Sequence, residues 1–350
     1  MGIHRRSFLA AATAGMFAIR HINTARSQGR SELDVAAGQM ITPVADRAIQ
    51  RGLDWLASRQ NDDGAFGSGS SYGQNVGVCA LAGLAFMSEG STPGRGRYGA
   101  NVDRIVDFLL GNTQETGYIY VSDAASHGPM YGHGFATLFL AEVYGMTPRS
   151  DLREKLSKAT QLIINTQNTE GGWRYQPQRN DADLSVTVCE IMALRAARNA
   201  GINVPVGVID QTIAYIKRCQ NPDGGFMYMS TGGPSAFPRS AAGVVALYSA
   251  GVYEGEEVER GLTYLMQHLP RGDNFNRESH FFYGHYYAVQ AMWHAGGDYW
   301  RQWYPAIRDA LLTRQREDGS WLDQISPEYG ASMACIILQM PNNYLPIFQP

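Results

Sequence analysis

Apolar positions alternate between two kinds of stretch along most of the chain. In one, they recur at helical intervals among polar residues, as Leu53 with Leu56 and Ile213 with Ile216, and predict amphipathic helices. In the other, nearly every position is apolar or small, and a helix apolar on most faces must be buried. These second helices are expected to begin near Asn75, Gly132, Asp183, Ser240, Gly284 and Gly330. Between the two kinds runs a recurring turn, clearest in Gln167, Gly171 and Trp173. It returns as Gln60/Gly64/Phe66, Gln114/Gly117/Tyr120, Gln220/Gly224/Phe226 and Gln315/Gly319/Trp321, with the aromatic six residues after the Gln in all five. A degenerate sixth copy runs from Gln267 through Gly272 to Phe275. Successive glutamines lie 54, 53, 53, 47 and 48 residues apart, a period that marks a repeat architecture.

Each turn has a readable physical role. The Gly permits the left-handed exit that a helix C-terminus favours. The aromatic is placed to fold back over the helix end, and the Gln amide to bond exposed backbone groups of a neighbouring turn. Each unit is then a helix hairpin with one amphipathic and one apolar member. Six hairpins bury six apolar helices most simply as an inner ring with the amphipathic six outside. The expected fold is all-α, an α/α toroid.

The Gln-x3-Gly-x-Trp elements, Gln167/Gly171/Trp173 and Gln315/Gly319/Trp321, resemble the repeat of the terpene cyclase and protein prenyltransferase superfamily. The resemblance covers roughly residues 43 to 340 and implies the same toroid. It says much less about activity, because the repeat elements are structural.

The N-terminus adds a second resemblance. His4-Arg5-Arg6-Ser7-Phe8-Leu9, followed by an apolar run to Ile19, resembles a twin-arginine export signal. The expected organisation is a signal over 1–25, a linker over 26–42 and one toroid domain over 43–350, in a protein that meets the twin-arginine machinery and ends in the periplasm or outside the cell. No later segment has the unbroken apolar length of a membrane span. A net charge of -3 with 17% charged residues gives no basic footprint and argues against nucleic acid as a partner. Cys79, Cys189 and Cys335 fall in different apolar helices and Cys219 ends an amphipathic one. They lack Cys-x2-Cys spacing, so they read as small core residues rather than zinc ligands. No cofactor is expected. The apolar, proline-framed tail from Pro341 to Phe348 is expected to pack across the end of the ring.

Chemistry belongs where six helix N-termini converge around one cavity. The openings bring Tyr72, Gln74, His127, Tyr131, His133, Arg239, His280, Tyr283, His285, Tyr286, Glu328 and Tyr329 toward it. Of these, Tyr131, His133, Arg239, Tyr283, His285, Tyr286 and Tyr329 are the expected ligand-binding set. Asp181-Ala182-Asp183-Leu184 resembles the start of the Asp-x-Asp-Asp motif with which class II terpene cyclases protonate an alkene, although Leu184 replaces the third acid. The resemblance makes Asp183 the acid and Asp181 its neighbour, with Asp183 held protonated by burial. The plainer reading makes Asp183 a helix N-cap that Arg239 of the next repeat could neutralise. Phe281-Phe282-Tyr283-Gly284-His285 is similar to the His-bearing helix of the protein prenyltransferases, but no Asp-x-Cys partner precedes it, so their zinc site is not expected. A metal held by His127, His133, His280 and His285 would have to span the second and fifth repeats, so these histidines more simply bond helix ends. Glu142 and Glu190 interrupt apolar helices and are expected near exposed ends. Two functions fit: acid-initiated chemistry on a polyprenyl substrate in the central cavity, or a ring whose Tyr-, His- and Arg-rich mouth binds or acts on glycans or peptides.

Overall fold

The computed structural model describes residues 40–67, 72–271 and 279–349. The expected export signal, most of the linker, and Gly272 and Phe275 of the sixth turn lie outside these residues. Twelve α-helices alternate between two layers. The outer members are α1 (Pro43–Arg59), α3 (Gly99–Gly111), α5 (Leu152–Thr166), α7 (Val206–Arg218), α9 (Glu256–Met266) and α11 (Gly297–Arg314). The inner members are α2 (Val76–Ser88), α4 (Pro129–Val143), α6 (Leu184–Asn199), α8 (Phe237–Ser249), α10 (Phe281–Ala295) and α12 (Pro327–Gln339). Each inner helix packs on the next, and α12 returns to α2, so the ring closes. Every residue of α2 is buried, as its composition requires. The helices α4, α8, α10 and α12 begin three residues before the expected points, three of them because a proline supplies a first-turn position whose missing N–H costs nothing.

The recurring turn is the fastener between repeats. Gln167 Nε2 donates to Gly171 O of its own turn at 3.1 Å and to Val208 O in the first turn of α7 at 2.9 Å. Gln60 bridges Gly64 O and Asn101 O of α3, and Gln220 bridges Gly224 O and Glu257 O of α9. Gln315 bridges Gly319 O and Ala48 O of α1, which joins the last repeat to the first. The glycines serve the same joint. Gly171 has φ +99°, and a Cβ there would run into the Gln211 carbonyl of α7. Gly64, Gly117, Gly224 and Gly319 meet the backbones of Arg104, Lys158, Arg260 and Arg51 in the same way. Trp173 and Trp321 fold back as expected, their Nε1 groups donating to Ile163 O at 2.8 Å and Leu311 O at 2.9 Å in the helices before them.

One copy slips. Gly117 follows Gln114 by three residues instead of four. Thr113 pairs with Ile119 as Gln220 pairs with Phe226, so Ile119, fully buried, takes the aromatic's place. Tyr120, expected to fold back over its helix, instead lies half-buried beside Tyr118, their rings 5.2 Å apart and nearly parallel.

The tail closes the end of the ring away from the inner N-termini. Gln339 and Asn342 donate to Ala85 O and Ser88 O at the end of α2, and Ile347 N donates to Glu142 Oε2 at 3.4 Å. Glu142 is therefore buried rather than exposed, and burial pushes its carboxyl up to about 7. Glu190 is also buried rather than exposed. Its carboxylate oxygens have no hydrogen-bond partner among the described residues, and desolvation raises its pKa strongly.

Three residues expected at the mouth belong to the packing of the ring. His133 is fully buried; its Nδ1 accepts from Ile119 N at 3.2 Å and its Nε2 lies 3.3 Å from Ala159 O. It ties α4 to the slipped turn and to α5. His285 is enclosed by the rings of Phe237, Phe281 and Trp303. Tyr286 points into the lower bore against Phe135, Tyr287 and the tail's Phe348. Tyr283 and Tyr286 share nearly one face of α10, but three residues of rise, about 4.5 Å, carry Tyr286 below the cavity.

Two outcomes follow. Gly171→Ala should lower unfolding free energy by roughly 2–4 kcal/mol through left-handed strain and collision with α7. Gln167→Ala should lower it by roughly 1–3 kcal/mol by stranding the Gly171 carbonyl and breaking the link to α7, while exposed Gln161→Ala changes little in the same urea titration. His133 sets a pH dependence: desolvation lowers its folded pKa to about 4 from 6.5. The unfolded chain then binds the extra proton first, so stability is present above 6.5 and falls as pH drops toward 4, by about 2–3 kcal/mol. Urea midpoints at pH 7, 5 and 4 should show this fall diminished in His133→Gln.

Candidate functional site

The inner helices begin around a cavity of about 640 Å³. All six repeats reach it. Val78 and Leu81 come from α2, Tyr131 and Phe135 from α4, Ser185 from α6, Arg239 from α8, Tyr283 from α10 and Tyr329 from α12. Loops add Tyr72, His127, Tyr175, Tyr228, His280 and Asp323. Six tyrosines and Phe135 thus share its walls with polar side chains such as Asn75, Ser185, Arg239, Asp323 and Gln324. Below Phe135 the bore is filled by Tyr286, Tyr287 and Phe348, so the cavity has a floor. Four expected ligand contacts, Tyr131, Arg239, Tyr283 and Tyr329, line it.

Asp183 stands behind this wall. It caps α6, its Oδ1 accepting from Val186 N at 2.9 Å and from Ser185 Oγ at 2.5 Å. Ser185 Oγ in turn lies 2.6 Å from Tyr131 OH, and Tyr283 OH donates to Ser185 O at 3.2 Å. A line of hydroxyls therefore runs from the fully buried Asp183 through Ser185 to Tyr131, while Tyr283 is held by the Ser185 carbonyl. Burial raises the Asp183 pKa, against the hydrogen bonds from Ser185 and Val186 and the charge of Arg174. The basic neighbour is Arg174 of the same repeat, not Arg239. Arg174 Nε is 3.7 Å from Asp183 Oδ2, and its Nη1 is 2.6 Å from Asp181 Oδ2. Asp181 precedes the helix, half exposed, and serves to hold that guanidinium over the Tyr175 and Tyr228 rings. The hydroxyls of Tyr175 and Tyr228 bond each other at the cavity wall. Arg239 instead ties down its own loop, donating to Phe226 O at 3.1 Å and Pro234 O at 2.6 Å.

The carboxyl that lines the cavity is Asp323, in the loop between Trp321 and α12. Its Oδ1 accepts from Ile325 N at 2.8 Å, and desolvation raises its pKa while that bond and the nearby His280 oppose the rise. His280 also lines the cavity, caps α10 in a left-handed conformation (φ 54°, ψ 45°), and lies 3.4 Å through Nδ1 from Gln324 Nε2. A non-glycine residue held there is strained, a feature that clusters at functional sites. Asp323 carried no motif, only its place just after a repeat aromatic and before an inner helix. Among the described residues, no three His, Cys, Asp or Glu side chains gather as metal ligands, and all four cysteines are buried and free. No described helix is long and apolar enough to cross a membrane.

The type II terpene cyclase MstE from Scytonema, in a variant bound to its product merosterolic acid A, superposes with a TM-score of 0.61 at 13% identity, over 85% of this chain and 97% of that one. The cellobiose 2-epimerase from Spirochaeta thermophila matches with a TM-score of 0.65 at 12% identity, over 88% and 98%. A protein from Actinoplanes matches at 0.61 and 16%, over 86% and 99%. At these identities the likeness concerns the fold alone. No protein of curated function matches by sequence. The family model described as the prenyltransferase alpha-alpha toroid domain matches residues 5–119 and 113–275. With its six hairpins and recurring Gln and Gly joints, the chain belongs to the prenyltransferase alpha-alpha toroid family.

Proposed function

We propose that the protein holds an apolar, isoprenoid-type ligand in its central cavity and transforms it by proton transfer, as a class II terpene cyclase-like isomerase or lyase. The observation that carries the reading is a carboxyl set into an aromatic wall: Asp323, with its pKa raised by burial, faces a space walled by Tyr131, Phe135, Tyr175, Tyr228, Tyr283 and Tyr329. A protonated carboxyl can donate to an alkene, and ring faces stabilise the cation that results. One Asp323 oxygen is anchored by Ile325 N and no other hydrogen bond among the described residues engages the second. Asp183 is the competing donor. It would act only along the Ser185 and Tyr131 hydroxyls, and its cap and Arg174 favour a positioning role. The MstE complex supports the reading by fold.

A second reading, a glycan-active ring, is favoured by the wet rim, where His127, His280 and Arg239 lie beside the tyrosines. The N-terminal Arg5-Arg6 pair supports export by the twin-arginine route.

Incubation with farnesyl- and geranylgeranyl-bearing substrates, followed by mass spectrometry, should reveal cyclised products. Asp323→Asn should reduce turnover by at least 100-fold, since general acid catalysis contributes roughly 10²–10⁴. Asp183→Asn, which preserves the cap, should reduce it by less than about tenfold; the reverse order would make Asp183 the acid. Activity that needs protonated Asp323 should decline as pH rises through its elevated pKa. Glycan turnover with no isoprenoid turnover would replace this reading by the second. Changing Arg5 and Arg6 together to Lys should stop export of a reporter fused to residues 1–42.

A further inference from the structure

The second repeat carries a side pocket of about 320 Å³ beside the mouth. Its wall includes Tyr118, Tyr120, Ser126, Gln176, Pro177 and Gln178. Ser126, exposed, also lines the central cavity, so it forms a common ridge between the two spaces. Nothing in the proton-transfer chemistry uses this pocket.

Its chemistry is selective. No charged side chain lines it, which disfavours phosphates, carboxylates and amines as ligands. The Tyr118 and Tyr120 rings stack on each other, 5.2 Å apart and 11° from parallel, and give the pocket an aromatic wall. Polar contacts to a ligand fall to the amides, since Tyr120 OH donates to Ser122 O and the Tyr118 hydroxyl is buried. Gln178 Oε1 is occupied by Asn180 Nδ2, which leaves its amide hydrogens to donate, and Gln176 presents an exposed amide. Amides that donate and accept, beside an aromatic wall with no charge, match a neutral polyhydroxylated ring. The aromatic pair exists because tyrosines stand one and three residues after Gly117, where the other described turns carry Ala65 and Gly67, Gly172 and Arg174, Gly225 and Met227, and Ser320 and Leu322.

We propose that the side pocket is a subsite for a neutral pyranose ring, belonging either to a free glycan or to the head of a glycolipid whose apolar part lies in the central cavity. The glycolipid form rests on the reading of the cavity as an apolar-ligand site; the sugar subsite does not.

The test is binding of methyl β-glucoside, octyl β-glucoside and octanol, all below any micelle concentration, followed by saturation-transfer NMR and calorimetry on the full chain. Wild type should bind both glucosides. Tyr120→Ala and Gln178→Ala, both at exposed or half-exposed positions, should weaken methyl β-glucoside about three- to tenfold each, the span of a lost ring or hydrogen-bond contact, and leave octanol unchanged. Octyl β-glucoside at least tenfold tighter than methyl β-glucoside assigns the glycolipid source. Equal affinity, with the same sensitivity to Tyr120→Ala, upholds the subsite for a free glycan and counts against the cavity as the apolar site. Absence of glucoside binding in wild type, or binding that neither substitution changes while circular dichroism shows both variants folded, overturns the subsite.

Discussion

The ring is held shut by a joint repeated around it: a glutamine amide shared between a turn and the next outer helix, beside a glycine pressed against that helix's backbone. Four of these glutamine joints are complete, and the one from Gln315 to Ala48 turns a row of hairpins into a closed ring. Each joint satisfies a turn carbonyl that would otherwise be stranded and adds a bond to a carbonyl of the next outer helix, and buried unpaired carbonyls are costly. The contact distance leaves no room for a Cβ, so the joint also fixes the spacing of the outer helices. Closure then dictates the rest. Six apolar helices can all be buried only if each has a neighbour on both sides, and their N-termini must gather at one end.

That gathering creates the site and its electrostatic character. Helix N-termini present amides and partial positive charge, which caps such as Asn75, Asp183 and Ser326 absorb. The cap at Asp183 shows how one residue can serve fold and site together. Its carboxylate ends the helix, orients Ser185 and through it Tyr131, and with Asp181 holds Arg174 against two tyrosines of the wall. Asp323 differs because only one of its oxygens is engaged and its loop faces the cavity. The opposite end is sealed differently, by the tail and by a carboxyl, Glu142, that burial holds near neutrality. One end of the bore is therefore solid and the other hollow.

The repeat's single irregularity is as informative as its regularity. In the second repeat Thr113 stands where the other turns carry Gln, an isoleucine fills the aromatic slot, His133 receives the Ile119 amide, and two half-buried tyrosines stack beside the turn. Different side chains in one turn thus change the surface beside it while the backbone pairing of the turn is kept.

The sequence by itself determined the helices, their pairing and the closed ring, because apolar periodicity and turn chemistry act over a few residues and recur six times. It also placed Tyr131, Arg239, Tyr283 and Tyr329 correctly at the mouth, since each sits at the start of an inner helix. Only the tertiary structure decided which way each side chain turns once the helices pack. That is why His133, His285 and Tyr286 proved to be core, why Arg174 rather than Arg239 reached Asp183, and why Asp323 emerged without a motif. Those outcomes depend on about 100° of rotation and 1.5 Å of rise per residue and on contacts between distant segments, neither of which a linear pattern of residue types encodes.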